Sequence, residues 1–381
     1  MRESNSEIND KKIAFILCVN NEEYLKESEH YIQQLEVPEG YGTDVIIIRD
    51  ADSMCAAYNL AMKSTDAKYK IYLHQDVYLL KRDLLACMLD IFKDETIGLI
   101  GTVGTRKLPR NARAAQAWDC GNVLLYNGDS LFHMKSFDRT QMSQPQVMDV
   151  EAIDGMLMMT QYDLLWDDRS FDAFHFYDIS QCMEFAFAGY RIVLPVDEDV
   201  WALHDSGISG ERGYDDYRKK FCEKYADRGF HYDAADDGSY SLVGAEIERQ
   251  KHCLMEHADS GVNQRLVEET QAFLGNGYLD SDVMCLCHYL EIIDLEIKNA
   301  GNSQTGRTSW RQYQNTEWKL RLLCWRVEYL QEAAAAEAFL QQIVTGQVTM
   351  ECAEIIVGHC VLNAADTWGR LKEYVEPGRS Q

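Results

Sequence analysis

Residues 13–19, IAFILCV, form an unbroken apolar run that closes on Asn20-Asn21-Glu22. A run that short, with no polar alternation, suits a strand covered on both faces, as in a parallel sheet. Tyr24, Tyr31, Ile32 and Leu35 follow at near-helical spacing until Pro38, Gly40 and Gly42 close the segment. The alternation then repeats. Asp44–Arg49 reads as a second strand running into Asp50-Ala51-Asp52-Ser53, where Ser53 is the expected N-cap of a helix to Met62. Tyr69–Leu73 gives a third strand broken at His74-Gln75-Asp76, Leu84–Phe92 a helix, and Ile97–Val103 a fourth strand. Strands alternating with helices predict an α/β fold, a mostly parallel sheet flanked by helices, with right-handed crossovers and ligands at the carboxyl ends of strands.

After Gly104 the stretch Arg106, Lys107, Arg110 and Arg113 is the densest positive loop of the N-terminal half. Asn122–Tyr126 and Val147–Thr160 read as strand-containing segments. Asp154-Gly155 then borders the apolar run Met156–Met159, Phe171-Asp172 follows, and Tyr177-Asp178 opens an amphipathic helix. Its apolar stripe is Ile179, Cys182, Met183, Ala186 and Tyr190, and a short strand beyond it leads to His204. From Arg228 to Gly244 the composition shifts to Asp, Gly, Ser and Tyr, which divides the chain into domains 1–235 and 236–381. The second is expected to be all-helical. Between Trp310 and Leu330 it carries two apolar stripes, Trp318, Leu322, Trp325 and Tyr329, and Leu320, Leu323, Val327 and Leu330. A helix apolar on more than one side packs in a bundle or at an interface, so this region is expected to pack on the first domain or on a second subunit, the latter giving a homo-oligomer.

Composition excludes some functions. Asp plus Glu is 62 against 37 for Lys plus Arg, a net charge of -25, which opposes a broad nucleic-acid surface. The polar start MRESNSEINDKK and the lack of a stretch near the roughly 20 apolar residues of a membrane span predict a cytoplasmic protein with no membrane span. The 12 cysteines show no small-scaffold framework, which fits reduced, buried thiols. Cys285-Leu286-Cys287-His288 has no second pair at zinc-finger spacing and reads as buried cysteine on a helix.

The ordered set CVNNEEY (18–24), YLHQDVYL (72–79), HFYDISQ (175–181), GYRIVLP (189–195) and His204-Asp205 resembles the bacterial branch of the inverting family 2-like glycosyltransferases. These belong to the GT-A fold and the nucleotide-diphospho-sugar transferase superfamily, and the resemblance covers about residues 12–226. It implies transfer of a sugar from a nucleotide-diphosphate donor, a UDP-sugar by expectation, to a hydroxyl of a sugar, lipid-linked or protein acceptor. Asp76 lies at the last position of the family's D-x-D triplet, with His74 in place of the first Asp, and its hard oxygens suit Mg or Mn. His204 is the second implied metal ligand, against a structural histidine after a strand. Asp178 is the implied general base, against an N-cap aspartate. Substrate contacts are implied for Asn20, Asp50, Asp52, Asn59, Gln75 and Asp154, although Asp52 also suits a turn ahead of Ser53. Arg106 and Arg110 are candidates for neutralising diphosphate, with solvated surface charge the alternative. The rival functions are a catalytically degenerate nucleotide-sugar-binding protein and a sugar-phosphate nucleotidyltransferase. The latter is disfavoured because residues 12–26 hold no Gly-rich phosphate loop.

Overall fold

The computed structural model describes residues 8–114, 117–137, 146–206, 213–233, 240–276, 280–300 and 309–375. The apolar run opens the chain as β1 (Asn9–Val19), in which Ile13 to Leu17 are fully or almost fully buried. Asn21 caps α1 (Glu22–Gln33) by accepting from Glu23 N at 2.9 Å. After β2 (Gly42–Arg49), Ser53 Oγ accepts from Ala56 N at 3.1 Å and caps α2 (Met54–Ser64). There follow β3 (Ala67–His74), β4 (Val77–Leu79), α3 (Leu84–Ile91), β5 (Ile97–Ile100) and β6 (Val103–Thr105). Next come β7 (Cys120–Tyr126), β8 (Leu131–Ser136), β9 (Val147–Asp149), β10 (Ala152–Ile153) and β11 (Leu157–Thr160). The α/β part closes with α4 (Tyr177–Phe187), β12 (Arg191–Pro195), β13 (Ala202–His204) and α5 (Tyr214–Lys224).

The main sheet has the order β2-β1-β3-β11-β5-β12-β9. β1 runs parallel to β2 and β3, and β5 parallel to β12, but β11 lies antiparallel between β3 and β5, and β9 antiparallel on β12. The sheet is thus mixed, where the apolar runs alone suggested parallel pairing. A run buried on both faces, such as Leu157–Thr160, reports its burial and carries no mark of its direction. The run 97–103 also divides. A side chain on Gly101 would collide with Ile153, so the chain passes tightly there and β6 leaves for a second sheet of order β10-β6-β7-β13-β4, with β8 on β7.

The chain forms two compact units. The first comprises Met1–Leu124, His133–His204 and Glu211–Ser241; the second comprises Leu125–Phe132, Asp205–Gly210 and Leu242–Gln381. The expected division at 235/236 lies outside the described residues. The second unit carries α6 (Tyr240–Ser260), α7 (Gln264–Gly275), α8 (Ser281–Ala300), α9 (Trp310–Trp325), α10 (Ala333–Val344), α11 (Met350–Cys360) and α12 (Ala364–Val375). A π turn, Arg326–Leu330, ends α9. Of the two apolar stripes, Leu320, Leu322, Trp325, Val327 and Leu330 are buried, whereas Trp318, Leu323 and Tyr329 are half-buried. The buried face of α9 also holds charge. The Arg321 guanidinium donates to Glu317 at 2.8 and 2.9 Å and to Asp205 at 2.9 and 3.1 Å. The Trp325 indole donates to the Cys360 carbonyl at 2.6 Å. No described helix is long and apolar enough to cross a membrane.

Candidate functional site

Three neighbouring parallel strands of the first unit end on polar residues. β2 ends at Asp50, an exposed residue in the left-handed region (φ 52), which Asp tolerates better than most side chains. β1 ends at Asn20 and β3 at His74-Gln75-Asp76. Gln75 ties two of these ends together. Its Oε1 accepts from the backbone N of Asn20 and of Asn21, both at 2.9 Å, and its Nε2 donates to Asn20 Oδ1 at 2.6 Å. Asp52 is exposed in the turn before Ser53.

β13 brings His204 to this edge, because it pairs antiparallel with β4 and sets His204 opposite Val77. His204 Nε2 lies 3.4 Å from Asp76 Oδ1, and the His74 and His204 rings are 5.4 Å apart. Each of His74, Asp76 and His204 offers a ligand atom within 4.8 Å of the others. Burial pushes the Asp76 carboxyl up, but the neighbouring imidazoles of His204 and His74 leave it below the usual carboxylate range. Burial lowers His74, which favours the neutral imidazole, the form that can ligate a metal. Asp76 Oδ1 is buried without a hydrogen-bond partner. A buried, ionised oxygen whose contact with His204 is as long as 3.4 Å fits a cation site between the two imidazoles. The sequence points to Asp76 and His204 as metal ligands but not to His74, which lies two residues before Asp76 and can replace one hard ligand with imidazole nitrogen.

α4 supplies the next element. Its N-cap position is Phe176, held at φ 64 with its ring packed on Tyr214 and Phe221, and it makes no side-chain cap hydrogen bond. A left-handed aromatic residue is strained and persists only where packing enforces it. Asp178 is therefore not the cap of α4. It sits in the first turn, and its Oδ2 accepts from Gly155 N at 3.1 Å, across to the turn before β11. Burial, followed by the charge of Asp154, raises the Asp178 carboxyl to about 7, with opposing backbone hydrogen bonds from Ile179 and Gly155. Asp154 Oδ1 accepts from Met156 N at 2.8 Å.

Tyr177, to which the sequence reading gave no role, links the two groups. Its hydroxyl shares a hydrogen bond with His74 Nε2. A side chain on Gly155 would collide with the same hydroxyl, so this position needs glycine. His74 N also donates to the Met156 carbonyl at 3.1 Å, which holds the ends of β3 and β11 together.

Other candidate residues have partners within the protein. The Asn59 amide is engaged within the fold. It is buried, its Nδ2 donates to the Trp166 carbonyl at 2.8 Å and to Asp168 at 3.0 Å, and its Oδ1 accepts from Trp166 N at 3.0 Å. Those bonds use both amide protons and occupy the oxygen. Arg110 pairs with Glu151 at 2.9 Å, packs over Phe230 and lines a cavity of about 380 Å³ with Glu151, Tyr190 and Arg228. None of His74, Asp76, Asp178 or His204 lines that cavity. Arg106 lies 3.6 Å from Asp119. Asp172 accepts from the Tyr217 hydroxyl at 2.9 Å and pairs with Lys220 at 3.0 Å.

The α/β unit thus gathers, at its strand ends, a carboxyl with a pKa near neutrality and a His-Asp-His set suited to a cation. The chain belongs to the glycosyltransferase-like family, whose profile matches residues 14–225. No curated protein sequence matches it. Among solved structures, the mannosyltransferase PcManGT from Pyrobaculum calidifontis in complex with GDP-Man and Mn2+ aligns over 71% of this chain and 82% of its own, at 13% identity and a TM-score of 0.37. S. aureus TarS in complex with UDP aligns over 97% of this chain and 92% of its own, at 8% identity and a TM-score of 0.35.

Proposed function

We propose that the protein is an inverting glycosyltransferase that moves a sugar from a nucleotide-diphosphate donor, a UDP-sugar, to an acceptor hydroxyl. The observation that carries this reading is the Asp178 carboxyl at about 7, joined through Gly155 and Tyr177 to the His74, Asp76 and His204 set. A general base works best with a pKa near the working pH. In the proposed step Asp178 takes the acceptor hydroxyl proton as that oxygen attacks the anomeric carbon. The bond from that carbon to the diphosphate oxygen breaks on the opposite face, and its electron pair leaves with the nucleoside diphosphate. One displacement inverts the anomeric centre.

Asn20, Asp50 and Gln75 stand at adjacent strand ends, where the nucleoside is expected in an α/β sheet, and Asp52 flanks them. Asp154 assists by holding Asp178 protonatable near neutrality. His74, Asp76 and His204 would hold a divalent cation, which supplies positive charge against the departing diphosphate. Two imidazoles beside one carboxylate favour Mn over Mg, which prefers oxygen ligands. In this reading His74 takes the tautomer whose Nε2–H donates to the Tyr177 hydroxyl, which leaves Nδ1 as the ligand nitrogen. Arg106 and Arg110 have no part in this reading, because their protein partners are Asp119 and Glu151.

The test is a panel of nucleotide sugars, with diphosphate release and product anomer followed with and without Mn. The reading expects metal-dependent release and an inverted product. A retained anomer would overturn the single-displacement mechanism. The absence of release with every donor, despite donor binding, would favour the catalytically degenerate alternative.

A further inference from the structure

The second unit holds another group of metal-type side chains among its described residues. Asp129 lies in the β7–β8 turn, where Asn127 Oδ1 accepts from Asp129 N and Ser130 N, both at 3.0 Å. The turn packs tightly on the start of α8, since a side chain on Gly128 would come within 2.8 Å of Ser281 Cα. His288 comes from α8 and His359 from the last turn of α11. Their rings stack with centroids 3.9 Å apart and planes 22° apart. His288 Nε2 lies 3.5 Å from Asp129 Oδ1, with the His288 side chain only 5% exposed. The Nε2 atom is buried and makes no hydrogen bond. Each of the three residues offers a ligand atom within 4.8 Å of the others.

We propose that Asp129, His288 and His359 form a second divalent-metal site, for an ion of the zinc class, that fastens the β7–β8 turn to α8 and α11. Two imidazole nitrogens and one carboxylate are a donor set for such an ion, and three protein ligands leave a position for water. Without an ion, the polar group placed against the buried Nε2 atom is the Asp129 carboxylate at 3.5 Å, a loose contact that an ion between the two would replace with direct ligation. The Cys285-Leu286-Cys287-His288 stretch acquires a different meaning here. Its histidine is a ligand, with partners that arrive from a turn and a helix far away in the chain.

The test uses the full chain carrying Asp76→Asn and His204→Gln, so that the first cation site is disabled. Chelator-stripped protein is equilibrated with Zn alone, bound metal is measured, and melting is followed against Zn concentration. The expected result is roughly one ion per chain and a Zn-dependent rise in Tm. Adding Asp129→Asn, at a 43% exposed side chain, or His359→Gln should weaken Zn binding by about tenfold or more. Circular dichroism without metal establishes that each variant is folded. No Zn bound above background overturns the site, as does binding unaffected by both added substitutions.

Discussion

Replacing Asp178 by Asn tests the proposed base through stability as well as through turnover. The carboxyl is raised from its ordinary 3.8 to about 7, chiefly by burial. At about 1.36 kcal/mol per unit, the ionised side chain destabilises the fold by on the order of 4 kcal/mol, less what solvent reaching the half-buried group recovers. The sign follows from linkage. Below the unfolded value both states are protonated and there is no penalty. As pH rises towards the folded value the unfolded chain loses its proton first, so stability is lost across this window and stays low above it. Asn has the same shape, can accept from Gly155 N and carries no charge. Asp178→Asn should therefore match the parent near pH 4 and melt several degrees higher at pH 8. Turnover should fall about 10²–10⁴-fold while donor affinity stays nearly unchanged, because a general base acts on the acceptor proton. In the parent, kcat/KM should rise with pH and level off above about 7. Differential scanning at several pH values and diphosphate release would measure these effects. Near-full turnover in the variant refutes the assignment and makes Asp154 the next base to test. An unchanged pH dependence of melting refutes the burial argument.

Gly155→Ala should push the Tyr177 hydroxyl from His74, cost about 1–3 kcal/mol through overpacking and weaken Mn binding about tenfold or more; calorimetric titration with unaltered Mn affinity would show that this contact does not orient His74. Asn59→Ala should lower stability by about 1–3 kcal/mol through the lost Trp166 and Asp168 bonds and leave donor affinity alone. The reverse pattern would point to Asn59 as a substrate contact. Arg321→Met leaves Glu317 and Asp205 buried without their cation and should cost about 3–5 kcal/mol in urea unfolding. A variant as stable as the parent would refute this cost of unpairing the two carboxylates.

Periodicity and composition were enough to locate β1 to β3, α1 to α4 and the helical character of the C-terminal region. Apolar spacing records which faces are covered, and Ser53 announces a helix start whatever surrounds it. Asp76, Asp178 and His204 were singled out through the family resemblance, and each stands at a strand end or in the first turn of a helix. Their partners were not. His204 reaches Asp76 only because β13 returns to pair with β4, and His74 becomes a third ligand candidate only once both stand beside it. Asn59 matched a substrate-binding pattern, yet its amide is taken up by a segment more than a hundred residues later. Nothing in the sequence around Arg321 distinguished a buried cation from a solvated one, since its two carboxylates come from its own helix and from Asp205. The direction of β11 and the company of His288 were hidden for the same reason. Local sequence fixes conformation and burial through short-range sterics and hydrophobicity, whereas the groups that meet at a site are chosen by how distant parts of the chain return.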